Sequence, residues 1–216
     1  MRIAVLGTGV VGRSIGSRLV ALGHTVTMGS RTADNPDATA WAGATGGGAA
    51  HATFADAARA GDLLFNCTAG AASLEALASV DPSDLAGKVL VDVANPLDVS
   101  GGFPPILTIS NSDSLGERIQ RTYPDLRVVK TLNTVTASVM VDPGVLGAPH
   151  HVFVSGDDAE AKRVVTGLLA EMGWPPTSVV DLGDITTARG TEMYLALWVR
   201  LYGALGTAQF NIGLVR

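Results

Sequence analysis

The chain is predicted to fold as an α/β domain with a doubly wound, mainly parallel sheet, on three observations. Short apolar runs suited to buried strands alternate with segments of helical periodicity along its 216 residues. A glycine-rich turn, Gly7-Thr8-Gly9-Val10-Val11-Gly12, joins the first such run to the first helical segment. The composition, 47 % apolar with 26 glycines and 16 % charged residues, is that of a close-packed globule.

Taken in order, Ile3 to Leu6 is fully apolar, as a strand covered on both faces requires. Val11, Ile15, Leu19 and Leu22 recur at helical spacing, and Gly23 stops that helix. Thr25 to Met28 is the second strand, which makes a strand–helix–strand unit with a right-handed crossover. Residues 33–50 read as a loop with an irregular helix, and a short strand falls near 51–54. Leu63 to Cys67 is a strand, followed by a helix around Ala71 to Ser79, a turn at 84–87 and a strand from Val89 to Val93. Asn95 to Pro105, with prolines at 96, 104 and 105, reads as a loop. A helix at 113–122, a strand at 127–131, a short helix and a strand at 151–155 follow.

Ala161, Val164, Val165, Leu168, Leu169 and Met172 mark an amphipathic helix behind the cap candidates Asp157 and Asp158. Val179 to Leu182 is the last strand and Thr187 to Tyr202 the last helix. The alternation predicts a Rossmann-type domain over residues 1–135. A small C-terminal α/β cover over 136–216 packs on it or continues it.

Bulk properties exclude several classes. A net charge of −5 supplies no basic field for a nucleic-acid backbone. Cys67 is the only cysteine, so no disulfide forms within the chain. Histidines 24, 51, 150 and 151 lack HxxxH or HExxH spacing, and no metal site is expected. The apolar start runs into glycines and Arg13, and reads as a strand rather than a signal peptide. Leu201 to Val215, the longest uncharged stretch near the end, is too short to span a bilayer. A cytoplasmic protein without nucleic-acid or membrane partners is expected.

The glycine turn follows a strand and opens a helix, which is the context that binding a dinucleotide requires. Gly7 permits the tight turn, Gly9 lets a pyrophosphate approach the backbone, and Gly12 allows helix and sheet to pack. Val10 and Val11 begin the helix whose free N–H groups and partial positive charge face the phosphates. The competing reading is a bare glycine turn.

At the end of the second strand, a carboxylate that bonds the free ribose hydroxyls of NAD is the usual occupant. This chain offers Gly29, Ser30, Arg31 and Thr32 instead. Arg31 presents a fork of donors suited to a 2′-phosphate, and Ser30, Thr32 and Thr8 add hydroxyls. NADP is therefore expected over NAD, unless Arg31 is only a solvated loop residue.

Ligands of such sheets lie beyond the carboxyl ends of the strands. That places Thr68-Ala69-Gly70, Ala94-Asn95-Pro96 and Asn133-Thr134-Val135 together. Small residues at 69 and 70 let a flat nicotinamide lie against the backbone, while Asn95 and Asn133 either bond ligand carboxamides or cap loops. Lys130 suggests an acid but reads equally as a solvated strand end, and Cys67 and Thr68 lack a His/Asp constellation. No protein acid or base is nominated.

LGTGVVGRSIGSRLVALGHTVTMGSR (6–31) resembles the start of the F420-dependent NADP oxidoreductases. GKVLVDVANPLD (87–98), VVKTLNTVTASVM (128–140), HVFVSGDD (151–158) and the run at 182–212 extend the likeness over nearly the whole chain. The resemblance implies NADP(H) as cofactor and the deazaflavin coenzyme F420 as co-substrate. It implies a 2′-phosphate grip by Thr8, Ser30 and Arg31, and a nicotinamide oriented by backbone around Thr136 and Ala137. It also implies that Asn133 and Val135 face the deazaflavin. The best-known archaeal members carry His and Pro where this chain has Asn133 and Thr136.

The expectation is hydride transfer between NADPH and F420, which chiefly requires two rings held face to face. Rival expectations are an NADPH-dependent reductase of an imine, a flavin or a chelated metal, and a non-catalytic NADP sensor. The apolar tail around Phe210 and Ile212 suggests a homodimer contact.

Overall fold

The computed structural model describes residues 1–215. In chain order it runs β1 (Arg2–Leu6), α1 (Val10–Ala21), β2 (Thr25–Ser30), α2 (Pro36–Thr45), β3 (Ala49–Thr53), α3 (Phe54–Ala60) and β4 (Leu63–Asn66). It continues with α4 (Ser73–Ala78), α5 (Pro82–Leu85), β5 (Val89–Asp92), β6 (Leu97–Asp98), β7 (Ile106–Leu107), α6 (Leu115–Thr122) and β8 (Arg127–Thr131). Then follow α7 (Ala137–Val141), β9 (Val152–Ser155), α8 (Ala159–Met172), β10 (Val179–Gly183), α9 (Ala188–Met193) and α10 (Leu195–Leu205).

Eight strands form one sheet in the order β10-β9-β8-β5-β4-β1-β2-β3, and β6 and β7 form a separate hairpin. Neighbours run parallel except β8 and β9, which are antiparallel. The expected doubly wound, mainly parallel sheet is thus present. From β1 the chain builds outward through β2 and β3, then returns to build the other way through β4, β5 and β8. Its switch point lies between β1 and β4, where a crevice opens at the strands' carboxyl ends. The last two strands join this same sheet beyond β8, with no break between residues 135 and 136.

Two apolar cores cover the two faces. One packs Ile15 and Leu19 of α1, Trp41 of α2, and Leu168 and Met172 of α8 on Ile3, Val5, Val26 and Met28. The other packs Phe54, Leu77, Leu115 and Ile119 on Leu6, Leu64 and Leu90.

Five segments differ from the sequence expectations, the first being the expected turn at 84–87, whose first two residues belong to α5 behind its Asp81 cap. Within 33–50 a regular helix forms, because Asn35 accepts from the Ala38 amide and Pro36 opens the first turn. Residues 54–60 form a helix that periodicity does not reveal, capped by Thr53 on the Asp56 amide. The expected loop at 95–105 contributes β6 to a short hairpin, in which Leu97 faces Leu107 and Asp98 faces Ile106. The single last helix is two, α9 and α10, divided at Tyr194.

Candidate functional site

The crevice holds two cavities that share a floor. The first, of about 600 Å³, is walled by Gly7, Thr8, Gly9, Ser30, Arg31 and α4 residues including Glu75, among others. The second, of about 500 Å³, is walled by Val10, Val11, Gly70, Ala94, Asn95, Asn133, Val135, Thr136 and Ala137, with Trp198 closing one side. Cys67, Thr68 and Ala69 line both. Together they make a cleft that runs from the end of β2, across the glycine turn, to the loop after β8.

The three glycines of the turn have different reasons to be glycine. Gly7 has φ +119°, and a Cβ there would stand 2.6 Å from the Cys67 carbonyl oxygen. A Cβ on Gly12 would collide with the Gly7 carbonyl oxygen. Gly9 has an ordinary φ of −70°, and a Cβ would meet nothing within 4 Å. The protein itself gives no reason for glycine at 9. It caps α1 without a side-chain partner, and no acidic residue sits in that helix's first turn. Free N–H groups therefore face open space, as a pyrophosphate needs. The donor set fits a dinucleotide phosphate.

Arg31 is exposed and lines the first cavity beside buried Ser30. The Ser30 hydroxyl donates 2.6 Å to the Thr32 carbonyl, so it shapes the turn. Sequence reasoning did not foresee Asn35, Phe54, Glu75 and Ser79 on this wall. The signal was available for α4: Ala72, Glu75, Ala76 and Ser79 follow i, i+3, i+4, i+7 spacing. Gly12, Thr32, Pro96 and Thr134 lie outside the walls of both cavities.

The second cavity is stitched together by its asparagines. Asn133 Nδ2 donates 2.9 Å to Asn95 Oδ1 and 3.0 Å to the Thr191 carbonyl, and Asn95 Nδ2 donates 2.9 Å to the Asn133 carbonyl. These amides bond protein, the loop-bracing alternative from the sequence. Leu132, just before them, holds a left-handed backbone with φ 61° in a fully buried position. Gly70 lies so close to the next loop that a Cβ would collide with the Asn95 carbonyl oxygen. The Asn95, Asn133 and Gly70 loops thus form one braced platform.

Lys130 is neither solvated nor in a cavity, which corrects the solvated reading. Its ammonium is 2.8 Å from Asp92 and 2.8 Å from Glu192, with all three side chains at most 1 % exposed. Burial would lower its pKa, but the attraction of Asp92 and Glu192 outweighs it and holds the ammonium above its ordinary range. Burial, with Asp92 adding to it, pushes the Cys67 thiol up, so it is a neutral wall group at neutral pH. No cluster of metal-ligating side chains occurs among the described residues.

The family model described as "NADP oxidoreductase coenzyme F420-dependent" matches residues 2–96. A crystal structure from Arthrobacter sp. FB24, provisionally described as an F420-dependent NADP reductase, superposes with a TM-score of 0.92 at 53 % identity over 99 % of both chains. The F420-dependent NADP reductase of Methanothermobacter marburgensis is 28 % identical over 93 % of this chain and 92 % of its own. Metalloreductase STEAP3 of Rattus norvegicus is 30 % identical over 88 % of this chain, which spans 36 % of that protein's length. No helix among the described residues is long and apolar enough to cross a membrane. The chain belongs to the F420-dependent NADP oxidoreductase family and is an NADP-dependent oxidoreductase.

Proposed function

We propose that this protein transfers a hydride between NADPH and coenzyme F420. The carrying observation is the shared floor: Cys67, Thr68 and Ala69 line both the cavity that contains Arg31 and the cavity that contains Asn133. A dinucleotide laid along that floor has its phosphorylated ribose at Arg31 and its nicotinamide at Ala69 and Gly70. Thr8, Ser30, Arg31 and Thr32 form the 2′-phosphate end, and Gly7, Gly9, Val10, Val11 and Gly12 the pyrophosphate cradle. Thr68, Ala69, Gly70, Asn95, Pro96, Thr136 and Ala137 form the nicotinamide platform, and Asn133, Thr134 and Val135 the acceptor face.

When bound, the nicotinamide and deazaflavin rings supply the redox chemistry. The chain binds, orients and shields them. Arg31 attracts the phosphate, the first turn of α1 holds the pyrophosphate, and the braced platform fixes ring placement, which dominates such transfers. Val135, Met140, Leu195 and Trp198 of the second cavity give the acceptor an apolar wall.

In this reading residues 1–135 carry the nucleotide and 136–216 cover the acceptor. The protein works in the cytoplasm as a homodimer, pairing through the exposed Leu197, Tyr202 and Leu205 of α10 with Phe103.

The test is to mix protein, NADPH and F420 without oxygen and follow the deazaflavin absorbance. Turnover of F420 supports the proposal. Turnover only with ferric chelates, flavins or imines favours the second reading, for which the metalloreductase likeness speaks. NADPH binding without turnover of any acceptor indicates a sensor.

A further inference from the structure

Beneath the three loops of the platform runs a continuous buried polar chain. Asn66 ends β4, and its Oδ1 accepts from the amide (3.3 Å) and hydroxyl (2.7 Å) of Thr68. Asn66 Nδ2 donates 2.8 Å to Asp92 Oδ1 at the end of β5. Asp92 accepts from Lys130 on β8, and Lys130 pairs with Glu192 on α9. Glu192 in turn accepts from the Leu115 and Gly116 amides, at 2.8 and 3.1 Å, at the start of α6. Asn66, Asp92, Lys130 and Glu192 are each at most 1 % exposed.

The chain also reaches the platform through Ala94 and Thr191. Ala94 is pinned at both its backbone groups: its amide donates to Asp92, and its carbonyl accepts from Lys130. Asn95 follows directly and clasps Asn133. Thr191, beside Glu192, accepts from Asn133 through its carbonyl. The chain holds two carboxylates and one ammonium out of water. Apolar replacements of such buried ion pairs are often as stable or more so, so stability alone does not explain it.

We propose that this chain is a positioning device for hydride transfer, with Lys130 as its central positioning residue. It fixes the peptide planes around Ala94, and through Asn95 and Asn133 the height of the nicotinamide platform. Lys130 neither donates a proton nor touches a ligand. The inference rests on the proposed function for its turnover readout and has a second readout that does not.

Lys130→Met is compared with wild type in F420 turnover and in binding of NADP and adenosine 2′,5′-bisphosphate, which occupies only the Arg31 end. Turnover number is expected to fall at least about tenfold, since misplacement of about 1 Å costs up to ~10²-fold. Bisphosphate affinity is expected to stay within about twofold, because Arg31 and Ser30, which would hold it, lie away from the Ala94, Asn95 and Asn133 loops that Lys130 supports. The pH profile keeps its shape, and Lys130→Arg recovers part of the rate. Wild-type turnover in a folded variant, equal losses in turnover and bisphosphate affinity, or a missing limb in the pH profile would overturn the inference. If Lys130→Met does not fold, Glu192→Gln is judged by the same criteria.

Wild type that fails to reduce F420 defeats the proposed function alone. The inference is then read from NADP affinity relative to the bisphosphate, which Lys130→Met lowers if the platform has moved and leaves unchanged if the inference is wrong.

Discussion

At its Arg31 end the cleft presents an exposed arginine side chain. At its Asn133 end it rests on buried Asn133 and Val135, with reciprocal amide bonds, a left-handed Leu132 and an ion triad underneath. The difference follows from the two tasks. Gripping a phosphate tolerates a long flexible cation, because charge attraction varies slowly with distance. Passing a hydride between rings requires placement to a fraction of an ångström, which only a braced platform provides. On the proposed function, one end of the cleft selects the cofactor and the other aligns it.

Damage to the two ends should therefore separate. Gly70→Ala drives a methyl into the Asn95 carbonyl and should have the largest effect. Turnover is expected to fall about 10²-fold, while adenosine 2′,5′-bisphosphate binding, read by calorimetry, changes little. Arg31→Ala should do the reverse. NADPH binding weakens by about 1.5–3 kcal/mol, the range for charge-assisted hydrogen bonds, and NADH binding hardly moves. Equal losses for both nucleotides would dissolve the distinction between the two ends.

Gly9→Ala sharpens the comparison at the middle of the cleft. Its methyl meets no protein atom, so thermal unfolding should register less than about 1 kcal/mol. Cofactor binding should lose about 1–3 kcal/mol, as overpacking against a ligand does. A variant that binds normally would show that the space above Gly9 is not the pyrophosphate's.

The smallest effect lies away from the cleft, at the cap of α6. Arg189, donating two hydrogen bonds, holds the Glu117 carboxyl below its ordinary range, against burial and with help from Ser114. A depressed carboxyl contributes stability that is present above its unfolded value, about 4.3, and lost as pH falls through the folded one. The stability gap between wild type and Glu117→Gln should be full at neutral pH and close below about pH 4, read by denaturant titration.

The same contrast governs what could be read from sequence. The adenosine end is local: a glycine turn, a helix start and the Gly29-Ser30-Arg31 turn lie within thirty-odd residues, and their order carries the chemistry. The acceptor end is assembled from distant segments. Lys130 looked solvated because its partners, Asp92 and Glu192, lie far from it in sequence and arrive through β5 and α9. The antiparallel β9 was equally hidden, since a strand's direction leaves no mark on its own apolar pattern. Helix α3 escaped periodicity and α2 read only as irregular, because FADAARA and PDATAWAGAT are alanine-rich and show little contrast between buried and exposed faces. Their cap residues, Asn35 and Thr53, were the legible signal.

The central claim is that one cleft brings the nicotinamide of NADPH and the deazaflavin ring together for direct transfer. Its most direct test is single-turnover reduction of F420 by NADPH carrying deuterium at the transferring nicotinamide carbon, with the product examined by mass spectrometry. The account expects the deuterium on the reduced deazaflavin ring and none lost to water. Reduced F420 without the label, or no reduction while NADPH is bound, would contradict it.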